Sequence, residues 1–221
     1  MTITPRRIQK QVEILTSELI GFSLCNDQQF PSMTKIGRGK IEIGISGSSG
    51  ISSLLRNIPY KTQYDEMLSS KTYNIKMIDG ALLQLMYRFD KDVIAAHRLG
   101  FFPSPYLEEF QNKPNVYLED EIYADIVMKN IIPFPFRFDY NSDNADNGMT
   151  HSASHLTLGQ YKNCRIPVTS PLTPSIFIEF VLRNFYNTAF GMYSKKLTKF
   201  VETFSETMTS EERSIVYMCI P

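Results

Sequence analysis

The sequence has no tryptophan, and histidine and cysteine occur only three times each among its 221 residues. Cys25, Cys164 and Cys219 lie far apart and form no C-x-x-C pair. That spacing argues against a zinc knuckle or a disulfide framework and favours reduced thiols. Basic and acidic residues both number 23, so the chain carries no overall basic field that would hold nucleic acid. Any contact with DNA or RNA must therefore come from a local patch or from a partner protein.

Long apolar runs are also missing. No stretch reaches the ~18 apolar residues that a membrane-spanning helix needs. Residues 1–15 lack the charged region and apolar core of a signal peptide. The sequence therefore predicts a cytoplasmic protein with no membrane partner. Its near-zero net charge favours association, either with another protein or with a second copy of the chain.

The periodicity of the apolar residues predicts one α+β domain over residues 1–221, an antiparallel sheet of hairpins and a meander flanked by N-terminal and C-terminal helices. The helix at the N-terminus is expected over about residues 5–24, the sheet core over about 36–168 and the C-terminal helices over about 174–207. Thr4-Pro5 and Thr173-Pro174 are typical helix starts, because threonine caps the first turn and proline fits the first helical position. Asp79-Gly80 is a strong hairpin signal.

Weaker patterns predict the remaining elements. They are a strand over 37–46, a meander over 73–99, a helix over 118–130, an edge strand over 131–140, a hairpin of 155–158 with 164–168, and a second C-terminal helix from about Tyr193.

The candidate catalytic residues lie in and around the hairpin that starts near residue 155. His151 and His155 are four residues apart, so in an extended segment both side chains face one side. Such a pair could bind a metal, or one histidine could act as a general acid or base. Tyr161 is a possible donor or nucleophile, and Arg165 could clamp a phosphate or a partner's carboxylate. The alternatives are a surface His151, a His155 bonded to backbone, and an Arg165 paired with Glu179 or another acid.

A second set of residues could bind nucleic acid or a partner. His97 and Arg98 precede an aromatic loop, although its phenylalanines also suit a core. Arg183 and Tyr186 lie about one turn apart on the predicted C-terminal helix and could line the same cleft. A metal site could use acidic residues of a flexible loop as further ligands (Asp139, Asp143 and Asp146), but their spacing matches no known ligand pattern. We therefore predict no metal site, and the sequence identifies no cofactor.

Two segments carry a resemblance to a known family: DGALLQLMYRFDKDVIAAHRLGFFPSP and HLTLGQYKNCRIPVTSPLTPSIFIEFVLRNFY. Together they resemble a bacterial family catalogued as domain of unknown function 2290, and the likeness extends over most of the chain. The second segment is the more specific, through His155, Gly159, Arg165, Pro167, Pro171 and Phe185-Tyr186. The resemblance implies a prokaryotic defence protein, because members are associated with two-gene anti-phage systems in which the neighbouring gene encodes a helicase. It assigns no catalytic residue.

Three functions remain open at this point. The first is an effector that acts on DNA or RNA, specifically a nuclease licensed by the helicase, with His155 as proton-transfer group and Arg165 on the phosphate. The second is a non-catalytic adaptor that senses phage nucleic acid or protein and regulates the helicase. The third is a toxin-like ribonuclease restrained by its neighbour, which predicts growth arrest when the gene is expressed alone.

Overall fold

The structure is a computed structural model that describes residues 3–45, 58–106, 134–144, 152–161 and 163–221. Within these ranges it has helices on both sides of one sheet of nine strands. The helices are α1 (Pro5–Gly21), α2 (Tyr60–Ser69), α3 (Pro174–Phe185) and α4 (Asn187–Tyr193). The strands are β1 (Cys25–Gln28), β2 (Ser32–Gly37), β3 (Lys40–Gly44), β4 (Ile75–Met77), β5 (Leu82–Asp90), β6 (Val93–Phe102), β7 (Phe136–Asn141), β8 (Ser154–Leu158) and β9 (Ile166–Pro167).

Every pairing between these strands is antiparallel, which confirms the predicted α+β class. The strand order is β1-β4-β5-β6-β7-β8-β9, and β3 joins β5 beyond the end of β4 while carrying β2 on its outer side. The Asp79-Gly80 prediction is confirmed, since these residues lie in the turn that joins β4 to β5. Gly80 has φ +81°, a conformation that favours glycine.

Alternation along the strands gives the sheet one apolar face. Leu85, Leu99, Phe138 and Leu156 follow one another in register across four strands, and all are buried. They form one core with the apolar side chains of α1 and α3. This face is therefore closed by the first and the later helices, as expected for an amphipathic helix laid on a half-apolar sheet.

Helix α2 covers one end of the opposite face. Its Tyr64 and Met67 pack with Tyr73, Leu82 and Phe102 in a second, smaller cluster. Leu82 and Phe102 are paired in register at the ends of β5 and β6. The centre of this face lies beyond α2, and polar side chains gather there.

Local signals explain where the long helices begin. Thr4 has extended backbone before Pro5, and the Thr173 hydroxyl accepts a hydrogen bond from the Ile176 N–H at 3.4 Å. Helix α1 ends at Gly21 rather than near residue 24, because Ser23 adopts φ +58°, which a helix cannot continue. The hairpin predicted at residues 155–168 is confirmed as β8 and β9.

One predicted strand position and one predicted helix are wrong. The strand predicted over 131–140 forms as β7, but it lies between β6 and β8 and not at the edge of the sheet. Pro135 precedes the paired residues and so leaves the ladder intact. The helix expected from Tyr193 is absent, because α4 ends there and residues 194–207 are irregular. Leu197 is nevertheless buried and Phe204 packs on the core, so packing alone produced the apolar spacing. The helix predicted over 118–130 lies outside the described residues.

Candidate functional site

The polar face of the sheet brings together a row of three charged or titratable side chains. Arg98 of β6 pairs in register with Asp139 of β7, and Asp139 pairs with His155 of β8. Directly opposite residues project from the same face with Cβ atoms about 4.5–5.5 Å apart. We call Arg98, Arg137, Asp139 and His155 the sheet-face cluster, because Arg137 is two residues from Asp139 on the same strand and shares its face.

Two arginines hold the carboxylate at the centre of this cluster. The Arg98 Nε lies 3.0 Å from Asp139 Oδ1, and the Arg137 Nε lies 3.2 Å from Asp139 Oδ2. The exposed fraction of the side chain is 7% for Arg98 and 15% for the other two. The ion pairs are thus largely shielded from water, which strengthens the attraction and also makes an unpaired charge costly.

The electrostatics of the cluster follow from this arrangement. Burial by itself raises the pKa of Asp139, but the charges of Arg137, Arg98 and His155 outweigh that effect and hold the pKa below its ordinary value. Burial lowers the pKa of Arg98 and its contact with Asp139 opposes that change. Asp139 therefore stays ionised near neutral pH, and the cluster holds two guanidinium charges against one carboxylate.

The orientation of the His155 ring is fixed by backbone. Its Nδ1 lies 2.9 Å from the Ser152 carbonyl oxygen, which can only accept, so Nδ1 carries a proton. In the neutral ring the basic nitrogen is then Nε2. The residue is 6% exposed. This arrangement holds one tautomer of a histidine next to Asp139, the residue that also pairs with the two arginines, and a histidine of fixed tautomer suits proton transfer.

Arg137 has the clearest capacity for an anion. The one side-chain hydrogen bond of Arg137 to a described residue runs from Nε to Asp139, so no described residue accepts a hydrogen bond from its two terminal nitrogens. A guanidinium presents these nitrogens in a planar fork that matches phosphate geometry. The cluster can therefore hold a phosphate through Arg137 while Asp139 keeps the arginine in position.

Two of the other predicted catalytic residues, Arg165 and Tyr161, are not members of the sheet-face cluster. Arg165 is half-buried and directly precedes β9, whose Ile166 pairs with Leu156. It makes no ion pair with Glu179, whose carboxylate is 3.7 Å from Lys199 Nζ instead. Tyr161 is 76% exposed in the turn after β8. His151 lies outside the described residues.

The structure does not bring the predicted binding residues to one surface. His97 lies on the helix-covered face, where its Nε2 accepts the Leu172 N–H at 3.0 Å, and burial lowers its pKa to about 4. Its neighbour Arg98 faces the opposite side, as alternation requires. Tyr186 is buried and donates its hydroxyl hydrogen to Asp79 Oδ2 at 2.8 Å. Arg183 is exposed on α3.

Sequence reasoning missed Arg137 and considered Asp139 only as a metal ligand. The available signal was the Arg-x-Asp alternation in β7, which places both side chains on one face. In the described ranges no group of three or more His, Cys, Asp or Glu side chains is placed to hold a metal ion. Likewise, none of the described helices has the length and apolar character needed to cross a bilayer.

Comparison with known protein families identifies a family that matches this chain. The model of the family described as uncharacterized conserved protein (DUF2290) aligns with residues 24–220. The chain belongs to this family. No curated protein and no solved structure matches it. The matched segment runs from β1 to the C-terminal tail and so contains the whole sheet-face cluster.

Proposed function

We propose that this DUF2290 protein is a cytoplasmic component of a prokaryotic anti-phage defence system that acts with a helicase, and that it cleaves nucleic acid at the sheet-face cluster. The family resemblance supports the defence context and the helicase partner. The observation that supports the site is the Arg98–Asp139–Arg137 arrangement beside a histidine of fixed tautomer. No cofactor is assigned to this reaction.

The proposed chemistry divides between the arginines and the histidine. Arg137 binds a phosphate oxygen, and Arg98 adds positive charge where negative charge develops during cleavage. His155 Nε2 accepts a proton from the attacking oxygen. That oxygen forms the new bond to phosphorus as the bond from phosphorus to the leaving oxygen breaks. Solvent returns a proton to the leaving oxygen. Arg165, immediately before β9, can extend the phosphate contact along the chain of the substrate.

Cleavage assays on purified variants test the catalytic role directly. We expect His155→Ala to lower the rate by roughly 100-fold or more, the scale of general acid–base catalysis. Arg137→Gln should weaken both cleavage and phage protection. Lys195→Gln is the matched control, because it removes one exposed positive charge away from the cluster. Each variant must first melt cooperatively at a temperature close to that of the wild type, so that a lower cleavage rate cannot be explained by unfolding.

A non-catalytic adaptor is the second candidate, and the burial of the cluster favours it. With Arg98 only 7% exposed, the ion pairs can serve to fix the sheet rather than to bind substrate. The adaptor predicts that folded His155→Gln and Arg137→Gln proteins still protect cells in a plaque assay and still co-purify with the helicase from the neighbouring gene. Retained protection by both variants would refute the nuclease proposal.

A further inference from the structure

A second positively charged surface lies at the far end of the β2–β3 hairpin. Lys35, Arg38 and Lys40 fall within six residues at its tip, and all three are exposed. Gly39 turns the chain with φ +74°, and the neighbouring Gly37 also lacks a side chain, so the tip is narrow. Among the described strands β2 pairs only with β3, so the hairpin lies at the edge of the described sheet.

The β5–β6 turn extends this surface. The Lys91 N–H donates to the Gly39 carbonyl oxygen at 2.9 Å, which ties the two turns together. Lys91 is itself exposed, and the only acids at the joined turns are Asp90 and Asp92. We call the surface formed by residues 35–40 and 90–93 the hairpin tip. Its four positive charges exceed its two negative charges, in a chain whose net charge is zero.

The cationic side chains of the hairpin tip form no ion pairs within the described structure. Lys35, Arg38, Lys40 and Lys91 form no salt bridge with any described residue. Solvated lysines alone are common on protein surfaces, but this tip also exposes two β-branched apolar side chains. Ile36 is 48% exposed and Val93 is 63% exposed. A surface of two joined turns that combines cations without an ion-pair partner among the described residues with exposed apolar side chains has the character of a binding element.

We propose that the hairpin tip binds duplex nucleic acid through its cations, which contact the phosphates. Because β3 is also paired with β5, the tip meets the duplex as part of the sheet edge and not as a separate ribbon. Lysine and arginine at the tip contact the phosphate backbone, and Ile36 can touch the sugars. The inference goes beyond the cleavage chemistry, because it assigns substrate binding to a surface that shares no residue with the sheet-face cluster.

The tip also lies on a path to that cluster. Lys40 pairs with Asp90 on β5, and Met86 of the same strand pairs with Arg98. The four steps along the strand from Asp90 to Met86 span roughly 13 Å at 3.3 Å per residue. Arg88 lies between them and shares their face. A duplex held at the tip can therefore bring one of its two nucleic-acid strands near Arg137 and His155.

Fluorescence anisotropy with a short DNA duplex tests this proposal. The variant is Lys35→Gln/Arg38→Gln/Lys40→Gln, and the matched control is Arg6→Gln/Lys10→Gln/Lys195→Gln, which removes three exposed cations elsewhere. We expect the hairpin variant to bind roughly ten-fold or more weakly, and the slope of log K against log salt to fall by roughly two to three, since each phosphate contact contributes about 0.9. The control should keep the wild-type affinity and slope.

Several results would overturn the proposal. These are no binding of the duplex by the wild-type chain at low salt, equal losses in both triple variants, or binding of single strands alone. Normal duplex binding by a hairpin variant that no longer associates with the helicase would instead make the tip a protein interface. His155→Ala separates this proposal from the cleavage proposal, because it should bind the duplex normally while cleaving it slowly.

Discussion

Neutralising Asp139 is the sharpest test of the sheet-face cluster. Asp139→Asn keeps the shape of the side chain but removes the charge that Arg98 and Arg137 share. Breaking one partner out of a buried ion pair costs about 3–5 kcal/mol, because the remaining charge is left uncompensated. The 15% exposure of Asp139 and Arg137 places this case at the lower end. We therefore expect a loss of about 3 kcal/mol in the free energy of unfolding.

Thermal unfolding followed by circular dichroism measures this loss. For a domain of this size 1 kcal/mol shifts Tm by roughly 2–4 °C, so Asp139→Asn should melt about 6–12 °C below wild type at neutral pH. Glu211→Gln is the control, since it removes an exposed carboxylate that forms no salt bridge with a described residue, and it should melt within a degree or two of wild type. Arg137→Gln/Asp139→Asn should lose less than the sum of the two single changes, because the residues are coupled.

The pH dependence of the Tm difference between wild type and Asp139→Asn is the measurement that can refute this reasoning. The pKa of Asp139 is depressed in the folded protein, so its stabilisation is fully present above the unfolded pKa of about 3.9 and is lost as pH falls through the lower, folded value. The gap in Tm between wild type and Asp139→Asn should persist at pH 5 and shrink only in stronger acid. A gap that is absent at neutral pH, or that is unchanged by acid, would refute the assignment of an ionised, arginine-held Asp139.

Two further predictions concern the core. Burial lowers the pKa of His97 to about 4, so between pH 6.5 and 4 the unfolded chain takes up a proton that the folded chain does not. Acidification from pH 7 to 5 should therefore lower the free energy of unfolding of the wild type by about 2 kcal/mol more than that of His97→Gln. An equal loss in the two proteins, measured from denaturation curves at both pH values, would contradict this. A Cβ on Gly100 would lie 2.4 Å from the buried Phe102 ring. Gly100→Ala should thus cost about 1–3 kcal/mol, whereas Gly191→Ala, with open space, should not lower Tm.

Local chemistry made part of the fold readable from the sequence. Thr4-Pro5 and Thr173-Pro174 start helices, and Asp79-Gly80 turns a hairpin, because each signal acts within a few residues of chain. Even so, the helix expected after Tyr193 does not form. Its apolar residues pack from irregular backbone, so apolar spacing indicates which side chains are buried without fixing the backbone that carries them.

The candidate site shows the same division. His155 stands out in the sequence as a scarce, titratable residue near a hairpin, and it is a member of the cluster. Arg137 and the pairing role of Asp139 did not stand out, because their significance depends on which strands lie beside β7. Residues 103–135 separate β6 from β7 in sequence, and no local signal states that they pair across that distance.

The sequence by itself determined the α+β class, the two Thr-Pro helix starts, the Asp79-Gly80 turn and the side chains available for chemistry, since these depend on short-range propensity and alternation. The tertiary structure alone decided the register that aligns Arg98, Asp139 and His155 across three strands. It also joined the two turns of the hairpin tip through Lys91 and Gly39. Strand register and long-range contacts are selected by the burial of a whole face at once, which no single segment specifies.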